Sequence, residues 1–219
     1  MMNDKDVKEY HKMVDKLNKQ QKELDASYKQ SLANKQERMT NVKGLKKINI
    51  LSLDCDWITN PRQQEDLLVF MIPIIYNHTD IVTTYSHSEI YPLFTHGYDE
   101  YNLINIDHHH DFHYGYVGKD KTVLDEGNWL FHLSNIFKKK INYTWISNPD
   151  SSHIFLKEYK NLKSFSFDHN LDYIKERKFD KIFICCSPDY ASNPGVISTY
   201  KIIEKIVKER KERDDKEES

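Results

Sequence analysis

The chain has 219 residues, 38% of them hydrophobic and 30% charged, with a formal net charge of −2. That length suits one medium α/β domain with an appendage, and the near-neutral balance excludes a generally basic nucleic-acid binder. No run of about 18 apolar residues is available to span a membrane. The opening segment MMNDKDVKEYHKM lacks the apolar core of a secretory signal, so a soluble, cytoplasmic protein is expected.

Residues 1–43 contain no Gly, Pro or Cys and are dense in Lys, Gln, Asn and Asp. Val7, Tyr10, Val14, Leu17, Leu24 and Tyr28 recur three and four apart, interrupted at Gln21, which predicts a heptad seam of about four repeats. This helical extension is either a coiled coil or docking helix that joins copies of the chain, or a solvated helix on its own domain, or partly disordered. Its lysine excess is ordinary for an exposed helix and predicts no nucleic-acid patch.

From residue 44 to about 213 the pattern becomes one of short β-rich runs alternating with helical stretches, and it predicts a single domain. Strands are predicted over 48–54, 80–85, 103–107, 143–147, 164–167 and 181–186. Helices are predicted over 62–76, 88–94, 128–138 and 171–176. A last helix from about 195 to 211 is expected to fray into the tail ERDDKEES, with 214–219 disordered. Such alternation predicts an α/β fold, a mostly parallel sheet covered on both faces, with any active site beyond the carboxyl ends of the strands. Three cysteines form neither a Cys-x-x-Cys pair nor a disulfide framework. Cys55, Cys185 and Cys186 are read as reduced, partly buried thiols.

Acids and imidazoles terminate the first three strands: Asp54-x-Asp56 after INILSL, His87 and Glu89 after DIVTTYS, and Asp107-x-His109-x-Asp111 after YNLINI. At a strand's end, residues two apart point to the same side. Carboxylates delivered to one edge repel one another unless a cation neutralises them. Asp54, Asp56, Asp107, His109 and Asp111 from two strands, with His87 from a third, are enough for two divalent ions. Oxygen and nitrogen ligands without a thiolate favour Mn²⁺ over a structural zinc. The plainer alternative is a surface run of histidines.

In order along the chain, LSLDCDW, SHSEIYP, NIDHHHD, EGNWLFHL and CCSPDY resemble the arginase-like (ureohydrolase/deacetylase) superfamily, in particular the peptide-modifying arginases. The resemblance covers roughly residues 47–200 and implies a three-layer α/β/α fold. It implies two Mn²⁺ ions bridged by Asp107 and Asp54, one completed by His87 and Asp111 and the other by His109 and Asp56. It further implies hydrolysis of a C–N bond, in a small guanidino compound or an arginine-containing peptide, by a metal-bridging hydroxide. Catalytic roles fall to Asp111 and to His132 as proton shuttle, with His110 and His113 as rivals. Asn128 is expected to hold the substrate's polar end, or else to cap the following helix. Asp189 is expected to pair with a cationic substrate or to cap a helix. Glu89 is expected to orient His87 or to be a first-turn acid.

The sequence departs from ordinary arginases in having TTYSHSE where they have a glycine-rich segment before the first histidine ligand. Two rivals remain. Asp-His-His phosphoesterases also bind two Mn²⁺ ions and would use His108 and His109 rather than His109 and Asp111. They follow their Asp-x-Asp with small residues and glycine, unlike Trp57-Ile58-Thr59-Asn60-Pro61. A non-catalytic metal-binding module working through its N-terminal helix is the second rival.

Overall fold

The computed structural model describes residues 46–78, 80–94, 97–112, 124–151, 157–189 and 193–217. The extension predicted over 1–43 and the rival shuttle His113 lie outside the described residues. The chain divides into two units, Met1–Gly44 and Leu45–Ser219, and the described residues all belong to the second.

Six strands, β1 (Lys47–Asp54), β2 (Ile81–Thr83), β3 (Glu100–Asp107), β4 (Ile141–Ser147), β5 (Ser164–Asp168) and β6 (Lys181–Cys185), form one sheet in the order β2-β6-β1-β3-β4-β5. Every pairing is parallel. Among the described residues three α-helices cover it: α1 (Pro61–Tyr76), α2 (Trp129–Ile136) and α3 (Pro194–Glu217). The result is a three-layer α/β/α fold.

Strand alternation sorts the core into two layers. Leu51, Leu53, Ile104, Ile106, Ile182 and Ile184 face α1 and α3, packing with Leu67, Met71, Val196 and Ile203. Ile48, Ile50, Tyr101, Leu103, Phe183 and Cys185 point the other way, onto Trp129 and Leu133 of α2 and onto Ile90. Asn60 starts α1, its side chain accepting from the Gln63 amide with Pro61 in the first turn.

Several predicted boundaries shift. The helices expected over 88–94 and 171–176 are 3-10 turns, His87–Leu93 and Leu171–Ile174, the first containing Pro92. The last helix does not fray where expected but continues to Glu217. Arg210 reaches the carbonyl of Ile75 at 3.2 Å and pairs with Asp214 at 2.9 Å, and Arg213 lies over the Tyr76 ring. Tertiary contacts with the end of α1 thus hold turns that composition alone leaves solvated. Among the described residues no helix is long and apolar enough to cross a membrane.

Chain direction reverses at the centre of the sheet. From β1 the chain crosses to β2 on one flank, whereas from β3 it crosses to β4 on the other. The adjacent carboxyl ends of β1 and β3 therefore flank a topological switch point, where open α/β sheets form their crevice.

Candidate metal centre

Register builds the floor of this crevice. Leu53 pairs with Ile106, which sets Asp54 beside Asp107, and Asp54 itself pairs with Cys185. One step earlier Ser52 pairs with Asn105. On the α2-facing side the apolar strands thus end in two polar layers, Ser52 and Asn105 below, Asp54, Asp107 and Cys185 above.

Beyond the strands the pleat no longer applies, and side-chain-to-backbone turns take over. Asp54 Oδ1 accepts from the Asp56 amide at 3.1 Å, and Asp107 Oδ1 accepts from the His109 amide at 2.7 Å. Each aspartate bonds the backbone two residues on, turning the chain so that Asp56 and His109 come back toward the crevice. The two-residue spacing read from the sequence holds for this reason rather than through strand alternation. Asp111 has φ 56, a left-handed conformation that aspartate tolerates better than most residues. Two bonds from α2 hold it there: the Leu130 amide donates to its carbonyl at 3.2 Å, and Trp129 Nε1 donates to its Oδ2 at 2.6 Å.

All six predicted ligands are buried and meet. His87 Nδ1 lies 3.3 Å from Asp54 Oδ2, 3.2 Å from Asp107 Oδ2 and 3.1 Å from Asp111 Oδ2. It is aligned for a hydrogen bond with none of them. His109 Nδ1 stands 2.8 Å from Asp56 Oδ2 and 4.0 Å from Asp107 Oδ1. Potential ligand atoms of His87, Asp107 and Asp111, and those of Asp56, Asp107 and His109, form two groups within 4.8 Å. Asp107 belongs to both and turns a different oxygen to each.

These spacings suit a cation. Bonds of about 2.1–2.3 Å put neighbouring ligand atoms of an octahedron about 3.0–3.3 Å apart, the spacing seen around His87 Nδ1. His87 Nε2 lies 2.7 Å from Ser52 Oγ. With the Nε2 proton given to that hydroxyl, Nδ1 presents a lone pair to the three carboxylates. Trp129 and Phe183 flank the ring. Asn105 Nδ2 donates to Asp107 Oδ2 at 3.0 Å.

Charge in the cluster is unbalanced by protein groups alone. Burial, then the charges of Asp54 and Asp107, push the Asp56 carboxyl well up, and burial followed by Asp107 does the same to Asp111. Burial opposes protonation of His87, but nearby Asp107 and Asp54 outweigh it and raise the imidazole to about 9. Burial would raise Asp107, yet His87 holds it below the usual carboxylate range. Among the described residues no lysine or arginine lies within ion-pair distance of these four carboxylates.

Other predicted site residues fare differently. Glu89 is exposed, and Ser52 rather than Glu89 bonds the far nitrogen of His87. Asn128 is buried, but its Oδ1 accepts from the Asp125 amide at 2.9 Å and makes no side-chain cap on α2. His132 packs against Phe131 and acts electrostatically on Asp125, joining neither ligand group. His110 packs against Trp145 and Tyr159. Asp189 is exposed, and its charge is felt by Glu126.

Glu126 is a residue that sequence reasoning missed. Burial pushes its carboxyl up while nearby Ser86 opposes the shift, Asp54 and His87 lie in its field, and its Oε2 is buried without a partner. Cys185 was missed too: its sulfur joins Asp54 and His87 in a third group of potential ligand atoms within 4.8 Å. Two signals were present, polar Ser52 and Asn105 placed two residues before Asp54 and Asp107 in otherwise apolar strands. Cys185 gave none, since a thiol in KIFICC reads as core. No family model, curated protein or solved structure matches this chain.

Proposed function

We propose that this chain is a metal-dependent hydrolase of a C–N bond, acting on a guanidino group with two manganese ions, as its resemblance to the arginase-like proteins implies. Asp107 carries the proposal. Its Oδ2 lies beside His87 and its Oδ1 points toward His109, so one carboxylate would join two cations. His87, Asp54 and Asp111 would hold one of them with Asp107, and Asp56 and His109 the other. Carboxylates and imidazoles in this ratio suit Mn²⁺.

When bound, such a pair supplies a water acidic enough to act as a nucleophile near neutral pH, and it polarises the carbon under attack. The chain's own groups do the rest. Ser52 fixes the His87 ring, and Asn105 and Trp129 fix the carboxylates of Asp107 and Asp111, so the ligand atoms are preorganised. Glu126, whose buried Oε2 has no partner, would give a guanidinium entering beside the cluster a carboxylate to pair with, and the cation would in turn favour its charged form. His132 has no part in this proposal, because its ring packs against Phe131 and joins none of the groups of potential ligand atoms.

The phosphoesterase alternative is disfavoured by His108. Its ring lies 3.4 Å from Ser151 Oγ and its amide donates to Asp56, while His109 and Asp111 supply the ligand atoms. The test is manganese stoichiometry after dialysis, together with urea release from arginine, agmatine and arginine-containing peptides. Two ions per chain and urea from one of these classes are expected. Two ions without C–N hydrolysis would favour the binding module, and no ion at all would overturn the whole proposal.

A further inference from the structure

We propose that the crevice contains a second, thiophilic ligand set, Asp54, His87 and Cys185, which binds a soft divalent cation such as Zn²⁺ or Cd²⁺ through the Cys185 sulfur and competes with manganese for His87. The inference rests on the cluster being a metal site, though not on any hydrolysis.

Register is the first observation. Asp54 and Cys185 are directly paired neighbours on parallel strands, so their side chains leave the same face at the same level. Potential ligand atoms of Asp54, His87 and Cys185 lie within 4.8 Å of one another, and all three residues are buried. The second observation is independent of the cysteine: His87 Nδ1 is fully buried, has no hydrogen-bond partner and lies 3.3 Å from Asp54 Oδ2 of this group.

An imidazole nitrogen has one lone pair. His87 Nδ1 therefore serves either the hard set with Asp107 and Asp111 or the soft set with Cys185, and occupancy is exclusive. Chemistry separates the two. Zn²⁺ binds nitrogen and oxygen sites more tightly than Mn²⁺ in the Irving–Williams order, and a thiolate widens that gap because it selects soft cations. On binding, the metal–sulfur bond forms as the Cys185 thiol proton passes to solvent, and no electrons are exchanged. Manganese occupancy, and any activity depending on it, would thus be displaced by thiophilic ions.

The other two thiols provide controls. Cys55 and Cys186 pack in the layer facing α1 and α3, on the opposite side of the sheet from Cys185. The experiment titrates chelator-treated full-length protein with Cd²⁺, reading the ultraviolet thiolate-to-cadmium charge-transfer band. Mn²⁺ binding is followed separately by electron paramagnetic resonance. Wild type, Cys55→Ser and Cys186→Ser should show the band, saturating at a single cation per chain, and in Mn²⁺-loaded protein the ion on the His87 side should be released. Cys185→Ser and Cys185→Ala should lose it and bind Cd²⁺ at least about a hundred-fold more weakly, while Mn²⁺ still binds, weakened by about tenfold at most. No band in wild type, or a band that survives in both Cys185 variants, overturns the inference. Cadmium NMR of wild type, which separates sulfur-ligated from oxygen- and nitrogen-ligated ions, decides the matter without a variant. A wild type that binds Cd²⁺ through sulfur but no Mn²⁺ would sink the manganese proposal and leave this one standing.

Discussion

The two ends of the central sheet treat buried carboxylates in opposite ways. At the amino end Glu100, the first residue of β3, is bonded by Lys163, lies 3.3 Å from Lys47 Nζ and accepts from Asn142 at 2.7 Å. The Lys163 bond outweighs burial and holds its carboxyl below the usual range. At the carboxyl end four aspartates crowd within one crevice, where His87 and His109 are the neighbouring bases and, among the described residues, no lysine or arginine lies within ion-pair distance. One end is neutralised from within the chain. The other holds its carboxyls together only by taking up protons, or by accepting a cation from outside, and the charge of such a cluster suits it to hold one.

Four experiments sharpen or break this contrast. The largest effect is expected from Asp107→Asn. Because each oxygen of Asp107 serves a different group, both ions should weaken together, by at least about a hundred-fold in Mn²⁺ affinity by titration calorimetry. Loss of only one ion would show that Asp107 does not bridge.

The next concerns pH. The raised Asp56, Asp111 and His87 groups make the folded metal-free protein bind more protons than the unfolded chain, so its stability should fall as pH rises. The His87 contribution is fully present below its unfolded value of 6.5 and is lost as pH climbs through about 9. Lowered Asp107 works in the opposite sense, its contribution disappearing in acid. Bound manganese would relieve the repulsion, so its gain in melting temperature should be larger at about pH 8.5 than at about pH 6. A gain that shrinks with rising pH would contradict the charge assignment.

Trp129→Phe removes the indole donor from Asp111. It should weaken the ion on the His87 side by about tenfold and spare the one at His109. Equal weakening of both would mark a general packing defect. Glu100→Gln, at the opposite end, should be the mildest. It should leave manganese binding unchanged and cost about 1 kcal/mol, since both lysines are roughly half exposed. Glu100 is lowered, so its contribution exists above the unfolded carboxyl value and vanishes in acid. The stability gap to wild type should therefore close below about pH 4.

Much of this was legible in the residues. Alternation and punctuation predicted the strands, helices and layered class, because a sheet covered on both faces requires apolar strands with short connections. Apolar runs ending in Asp54, Asp56, Asp107, His109 and Asp111, with His87 between, marked the cluster because charge at a strand's end has few other uses. Local rules missed by a residue or several where tertiary contacts decide, as in the helix that Arg210 and Arg213 carry on to Glu217.

Sequence alone determined which side chains carry the chemistry and that they follow directly on the strand ends, because an apolar run closed by Asp54 or Asp107 marks where a strand stops; the turns that bring Asp56 and His109 back to the crevice belong to the folded backbone. Only the fold decided their partners. Strand order β2-β6-β1-β3-β4-β5 puts β6 against β1, setting Cys185 beside Asp54 across 131 residues of chain that no local pattern connects. Packing of α2 on the sheet gave Asp111 its indole donor and left Glu89 in solvent, because both depend on how layers dock rather than on what any segment prefers.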